Sequence, residues 1–183
     1  MATRFDKSTQ QDKSHAKGAK LGKGLVYLLL LIVVVTAVDL WRSKDLPSDV
    51  AALGPLTTLK GETLDLPAIS DEQPVLVYVW ATWCGVCRLV SPMVDMVSGP
   101  VVSIALASGV DPKVAGYVRD KGYNFDVVND ADNRLGQTLG ISVTPTLMVA
   151  YKGELRFATT GITTLPGMYA RLWLALFWNP ASG

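Results

Sequence analysis

Residues 55 to 183 of this chain predict an α/β fold, a mixed central sheet with flanking helices, and three observations carry that prediction. Val75 to Trp80 and Val101 to Leu106 are continuous apolar runs with β-branched residues, as suits strands buried on both faces of a sheet. Apolar residues recur at helical spacing between such runs, so strands and helices alternate. Near the end, Lys152-Gly153 sits between two strand-like runs as a hairpin turn does, and a last helical stretch follows.

The chain before this domain carries topology signals. Arg4, Lys7, Lys13, Lys17, Lys20 and Lys23 outnumber Asp6 and Asp12, and then Leu25 to Val38 is uncharged and almost wholly apolar. At 1.5 Å per residue that run spans about 21 Å, short of a ~30 Å hydrocarbon core. Counting from Leu21 to Trp41 gives roughly 31 Å, with Lys23 snorkelling to one interface and Asp39 and Trp41 at the other. Residues 21 to 41 therefore predict a single transmembrane helix. By the positive-inside rule, residues 1 to 20 are a cytoplasmic, disordered tail with little to bury. The remainder is exported, to the periplasm of a bacterium whose inner membrane holds the anchor. A cleaved signal peptide is the rival, because Val35-Thr36-Ala37 resembles a processing site; the long basic leader argues for the anchor, and both export the domain. Residues 42 to 54, with Asp, Ser, Lys and Pro47, read as a linker.

In chain order, Leu56 to Leu59 and Thr63 to Leu66 alternate around Lys60-Gly61-Glu62 as a short hairpin. Val75 to Trp80 is the first buried strand. Leu89, Val90, Met93, Val94 and Val97 make a helix that Pro92 kinks and Gly99-Pro100 ends. Val101 to Leu106 is the second strand, Pro112 to Lys121 a helix, Phe125 to Val128 a third strand, and Asn133 to Leu139 a short helix. Thr146 to Ala150 and Glu154 to Thr160 flank the hairpin turn, and Leu165 to Trp178 is the closing helix, too short to span a bilayer.

The first strand feeds Trp80-Ala81-Thr82-Trp83-Cys84-Gly85-Val86-Cys87-Arg88, which holds both cysteines of the chain. A strand ending in C-x-x-C and opening a helix is a redox dithiol pattern, because the helix start offers N–H groups and partial positive charge to the first sulfur. Thiolate is the reactive form, and at such positions its pKa falls from about 8.5 into roughly 3.5–7.5. That makes Cys84 the nucleophile and Cys87, one turn on, the residue that resolves a mixed disulfide. A purely structural bridge across two intervening residues closes almost no loop and gains little. Structural zinc needs four ligands, and the only histidine, His15, lies in the charged tail. Two thiolates could instead hold Cu(I), which favours soft ligands, and this metal-binding module is the alternative function. Met93, Met96 and Met148 read as core residues rather than as further ligands. Asp130 and Asp132 read as a turn and helix cap.

Taken together, W-A-T-W-C-G-V-C-R and G-I-S-V-T-P-T-L resemble the thioredoxin superfamily. Within it, residues 56 to 178 look like the membrane-anchored TlpA, ResA and CcmG group, with its suppressor-of-copper-sensitivity branch (ScsD) the nearest likeness. The resemblance implies a thioredoxin-like sheet and a thiol–disulfide oxidoreductase with no cofactor and no metal. It also implies a cis-proline at Pro145 beside the disulfide, and in Pro92 the proline that kinks the active-site helix. Trp83, Gly85, Val86, Thr144 and Pro145 would then meet a client chain, Thr144 through its backbone. The implied partners are cysteine-containing periplasmic clients and a membrane thiol-transfer protein that donates electrons, with copper tolerance as a further association. Thioredoxin carries a buried aspartate in the strand before its W-A-x-W-C motif, where this chain has Tyr78, a poor base near neutral pH. The Gly85-Val86 dipeptide differs from the proline-containing pairs common in reductive members, which leaves the direction of electron flow open. A net charge of +1 and a pI near 7.7 give nucleic acid nothing to bind, and no G-x-G-x-x-G or P-loop implies a nucleotide.

Overall fold

The computed structural model describes residues 26, 27, 30, 34 and 49–177. The chain divides into two compact units, Met1–Leu40 and Trp41–Gly183. Of the first, Val26, Tyr27, Leu30 and Val34 are helical and exposed. The rest of the predicted tail and anchor lies outside the described residues, as do positions 42–48 of the predicted linker and Trp178. Among the described residues no helix is long and apolar enough to cross a membrane.

The second unit is built on a five-stranded sheet. Its strands are β3 (Val75–Trp80), β4 (Val101–Leu106), β5 (Asp126–Asp130), β6 (Thr146–Tyr151) and β7 (Glu154–Thr160). They lie in the order β5-β4-β3-β6-β7. The pairs β3–β4 and β4–β5 are parallel, whereas β3–β6 and β6–β7 are antiparallel, so the predicted mixed sheet forms. The helices are α1 (Leu66–Glu72), α2 (Cys87–Asp95), α3 (Asp111–Lys121), α4 (Arg134–Thr138) and α5 (Leu165–Phe177). A separate two-stranded ladder pairs β1 (Leu56–Thr57) with β2 (Thr63–Leu64).

Every residue of β3 is buried, because both faces of the central strand are covered. Val75, Val77 and Val79 join Leu66, Ile104, Leu139 and Met148 on one face. Leu76, Tyr78 and Trp80 join Val90, Val94, Val114, Phe125 and Met168 on the other. Alternate residues thus enter two different cores, which is why the strand reads as a run rather than an alternation.

Three expectations shift. Residues 65 and 66, read as the end of a hairpin strand, start a helix: the Asp65 carboxylate accepts the Ala68 N–H at 3.0 Å and Pro67 sits in the first turn. Residues 49–54, read as linker, belong to the domain. Asp49 bridges Glu154, the Val50 N–H donates to the Gly153 carbonyl at 2.9 Å, and Val50 and Leu53 enter the core as a 3-10 turn. Finally, α2 ends at Asp95, whose carboxylate turns out to accept the N–H groups of Asn124 and Phe125 at 2.6 and 3.1 Å.

Candidate active site

The dithiol sits where β3 turns into α2. The Cys84 N–H donates to the Ala81 carbonyl at 3.2 Å, closing a tight turn at the strand's end. Cys84 and Cys87 form a disulfide with 5.3 Å between their Cα atoms. Both are buried, Cys84 at 6% and Cys87 at 1% exposure, so Cys84 is the slightly more exposed residue. Val86, at the helix N-cap, has no side-chain oxygen to occupy the free N–H groups of the first turn. The Cys87 N–H points at Cys84 Sγ instead, at 3.1 Å. That donor is therefore aimed at the sulfur on which a thiolate charge would sit.

Opposite the disulfide, the Thr144–Pro145 peptide is cis, in agreement with the resemblance and against the usual trans preference of X-Pro bonds. It brings the Thr144 carbonyl to 3.5 Å from Cys84 Sγ. The Gly161 N–H donates to the Pro145 carbonyl at 2.9 Å, tying the end of β7 to the same spot. Exposed Trp83, Val86, Val143 and Ile162 flank these residues along the chain and leave apolar surface beside a buried disulfide. A Cβ at Gly85 would meet nothing within 4 Å, so the fold makes no steric demand for glycine there. Gly85→Ala is expected to keep the parent's urea midpoint while slowing exchange with bulky protein disulfides more than with small ones.

Trp83 is 63% exposed yet fixed, since its indole N–H donates to the Ala107 carbonyl at 3.1 Å. Beside it the buried Ser108 hydroxyl donates to the Leu106 carbonyl and accepts the Thr82 N–H, both at 3.0 Å. Ala107 and Ser108 were not among the residues singled out from sequence. The available signal was a small, polar Ala107-Ser108-Gly109 turn at the carboxyl end of a central strand, where α/β folds gather their sites. Ser108→Ala leaves the Thr82 N–H without its acceptor and is expected to cost about 1–3 kcal/mol by urea unfolding. An unchanged midpoint would remove Ser108 as the brace of this loop.

Tyr78 is fully buried beneath α2, with its hydroxyl 2.9 Å from Ser91 Oγ and 3.5 Å from the Cys87 carbonyl. Burial pushes its phenol well above the ordinary value, and the Ser91 hydrogen bond offsets this only in part. Tyr78 is therefore no proton acceptor for Cys87, as its chemistry already indicated. Asp130 is a structural carboxylate that accepts the Gly136 N–H at 2.9 Å, and Asp132 pairs with Arg134. Among the described residues no three His, Cys, Asp or Glu side chains cluster to hold a metal.

Residues 57–172 match the family model described as Thioredoxin. The chain belongs to the thioredoxin family. This thioredoxin-family chain is 35% identical over 162 residues to the "Thioredoxin-like protein" of Haemophilus influenzae, covering 87% of this chain and 96% of the relative. It is 26% identical over 158 residues to the thiol:disulfide interchange protein DsbE of Escherichia coli K12, covering 76% and 85% of the two chains. Two solved structures share the fold. MTB DsbF aligns with a TM-score of 0.59 at 20% identity, over 70% of this chain and 99% of its own. The exposed lipoprotein thioredoxin Etrx1 of Streptococcus pneumoniae aligns at 0.58 and 20%, over 66% and 97%. With this fold and this disulfide, the chain is a protein thiol–disulfide oxidoreductase.

Proposed function

We propose that this oxidoreductase is held in a bacterial inner membrane by residues 21 to 41 and works in the periplasm as a reductant of client disulfides. One observation carries the chemistry: Sγ of Cys84, the more exposed of the two cysteines, lies between the Cys87 N–H and the Thr144 carbonyl, in a chain segment with exposed apolar side chains. The N–H stabilises negative charge on the sulfur, and the apolar rim suits an unfolded or extended cysteine-containing segment. Cys84 attacks, Cys87 resolves, and Trp83, Gly85, Val86, Thr144 and Pro145 receive the client.

The basic leader followed by an apolar run supports the anchor, and the anchor supports a membrane thiol-transfer protein as electron donor, since it keeps the dithiol close to the bilayer. The suppressor-of-copper-sensitivity resemblance adds copper-stressed proteins to the clients; normal growth on copper of a strain lacking the gene would remove that addition. Alkylation of reduced Cys84 is expected to follow a pH profile with its midpoint below the free-cysteine value of about 8.5. The deciding experiment is thiol alkylation in intact cells. Cys84 and Cys87 mainly reduced at steady state supports the reductive role, and a mainly disulfide-bonded pair overturns it.

A further inference from the structure

The closing helix α5 has no charged outer face: its one charged side chain, Arg171, is half-buried and donates to Thr159 Oγ1 and the Gly167 carbonyl. Its outward residues Tyr169, Trp173, Leu174, Leu176 and Phe177 are all apolar or aromatic, and no acidic residue occurs in it. A surface helix normally carries charge on its solvent side, and one that is apolar all round is buried or in a membrane. At about 1.5 Å per residue this helix is only ~20 Å long, too short to cross a bilayer. The inner side is accounted for, since Leu165, Met168 and Leu172 pack beneath the sheet with Val90 and Val94. The outer side is not. Trp173 is 59% and Phe177 69% exposed, and their rings meet at 4.5 Å as one wedge.

Topology places this wedge. Strand β7 runs from Glu154 at the hairpin turn to Thr160 opposite Thr146, next to Pro145 and the disulfide. Helix α5 then returns toward the other end of the sheet. By Tyr169 it has reached the far end of α2, where the tyrosine hydroxyl accepts the Ser98 N–H at 2.9 Å. Trp173 and Phe177 lie one and two turns further on, joined from α2 by exposed Met96, whose carbonyl faces the Tyr169 hydroxyl. The chain enters the domain at this same end: Asp49 bridges Glu154, and the Val50 N–H bonds the Gly153 carbonyl. Only residues 42 to 48 separate that point from Trp41, the end of the proposed anchor. Fully extended at roughly 3.5 Å per step, the eight steps from Trp41 to Asp49 reach at most about 28 Å.

We propose that the apolar C-terminal end of α5, with Trp173 and Phe177, dips into the lipid bilayer and fixes the domain's orientation. This rests on the anchored reading of the chain. A short tether holds the anchor end of the domain near the headgroups, where tryptophan and phenylalanine partition well. The absence of carboxylates from the helix removes repulsion from anionic lipid. With that end against the membrane, the disulfide sits at the other end of β3, about 20 Å higher at ~3.3 Å per residue. Its exchange partner would then be a soluble client, or a thiol-bearing domain that rises from the membrane, and not a thiol buried in the lipid.

The test uses the full chain reconstituted into phosphatidylethanolamine and phosphatidylglycerol vesicles, with and without brominated acyl chains, and its Trp173→Phe variant. The difference in emission between parent and variant isolates Trp173. Brominated lipid is expected to quench that difference by more than half, and aqueous acrylamide to leave it largely unquenched. Unquenched by bromine but shielded from acrylamide, Trp173 would be covered by protein, a second copy or this chain's own termini. Unquenched by bromine and open to acrylamide, it would be uncovered. Either result overturns the proposal. Flotation of the same vesicles separates the two readings: a chain that does not float overturns the anchor and this orientation together, whereas a floating chain with Trp173 unquenched overturns only the orientation.

Discussion

Serine at Cys84 is expected to abolish thiol–disulfide exchange, while serine at Cys87 converts the protein into a trap for its clients. In the reductive direction the Cys84 thiolate attacks a client disulfide, forming a Cys84–client bond and releasing one client thiolate. Cys87 then attacks Cys84 Sγ, and the second client thiolate leaves as the Cys84–Cys87 bond of this structure forms. Two electrons pass from the dithiol to the client, and each thiolate takes up a proton from solvent according to its pKa. Without Cys84 no attack is expected, because Cys87 is the more buried residue. Insulin reduction should fall more than about 100-fold, equivalent to roughly 2.7 kcal/mol of lost transition-state stabilisation. Without Cys87 the first step survives and the second does not, so mixed disulfides accumulate and appear on non-reducing gels as adducts cleared by dithiothreitol. Equal trapping by both variants, or by neither, would reverse or remove these roles.

The sequence was informative where burial is symmetric. Val75 to Trp80, Val101 to Leu106 and Glu154 to Thr160 stand in the structure as read, since strands covered on both faces, or closed by a tight Lys152-Gly153 turn, leave a local imprint. Helix α1 left little imprint. Its seven residues turn few side chains inward, and Thr63-Leu64-Asp65-Leu66 alternates as a strand would, so the capping role of Asp65 shows only once its carboxylate meets the Ala68 N–H. Asp49 to Leu53 was hidden for a different reason, since a short segment with only two large apolar residues, following polar residues, resembles a linker until its partner, the β6–β7 turn, is in view.

The site divides in the same way. Cys84 and Cys87 are legible because their chemistry is local to a motif, and cis-Pro145 only through the family resemblance. Ser91 and Ser108 are not, because a serine's role depends on what faces it: the Tyr78 hydroxyl across a helix–strand contact, and the Thr82 N–H across two neighbouring loops. Tyr78 joins the two cases. Its position showed that a carboxylate was missing, and the structure adds that its hydroxyl is spent on Ser91 and is too costly to ionise.

Trp80→Ala is expected to destabilise the domain by about 3–5 kcal/mol, the range for emptying a large aromatic site in a packed core. Trp80 is fully buried on the central strand, four residues before Cys84. Its ring lies parallel to Tyr78 at 6.4 Å, meets Phe125 edge-on at 6.1 Å and touches Tyr117 at 5.7 Å. Alanine leaves a void that these rings, held by β3, α3 and the segment entering β5, cannot close, and it removes the indole donor to Ser103 Oγ at 3.3 Å. Ser103 still donates to the Asp126 carbonyl at 2.9 Å, so the lost hydrogen bond is the smaller part of the cost. Trp80→Phe, which keeps most of the volume, should cost markedly less, and the difference between the two variants measures packing alone. Set against a total of about 5–15 kcal/mol for a domain of this size, the alanine variant should be marginal at 37 °C. Urea unfolding followed by circular dichroism decides it. A Trp80→Ala midpoint equal to that of the parent would mean that the aromatic cluster does not hold β3 in place, and that the turn carrying Cys84 is supported from elsewhere.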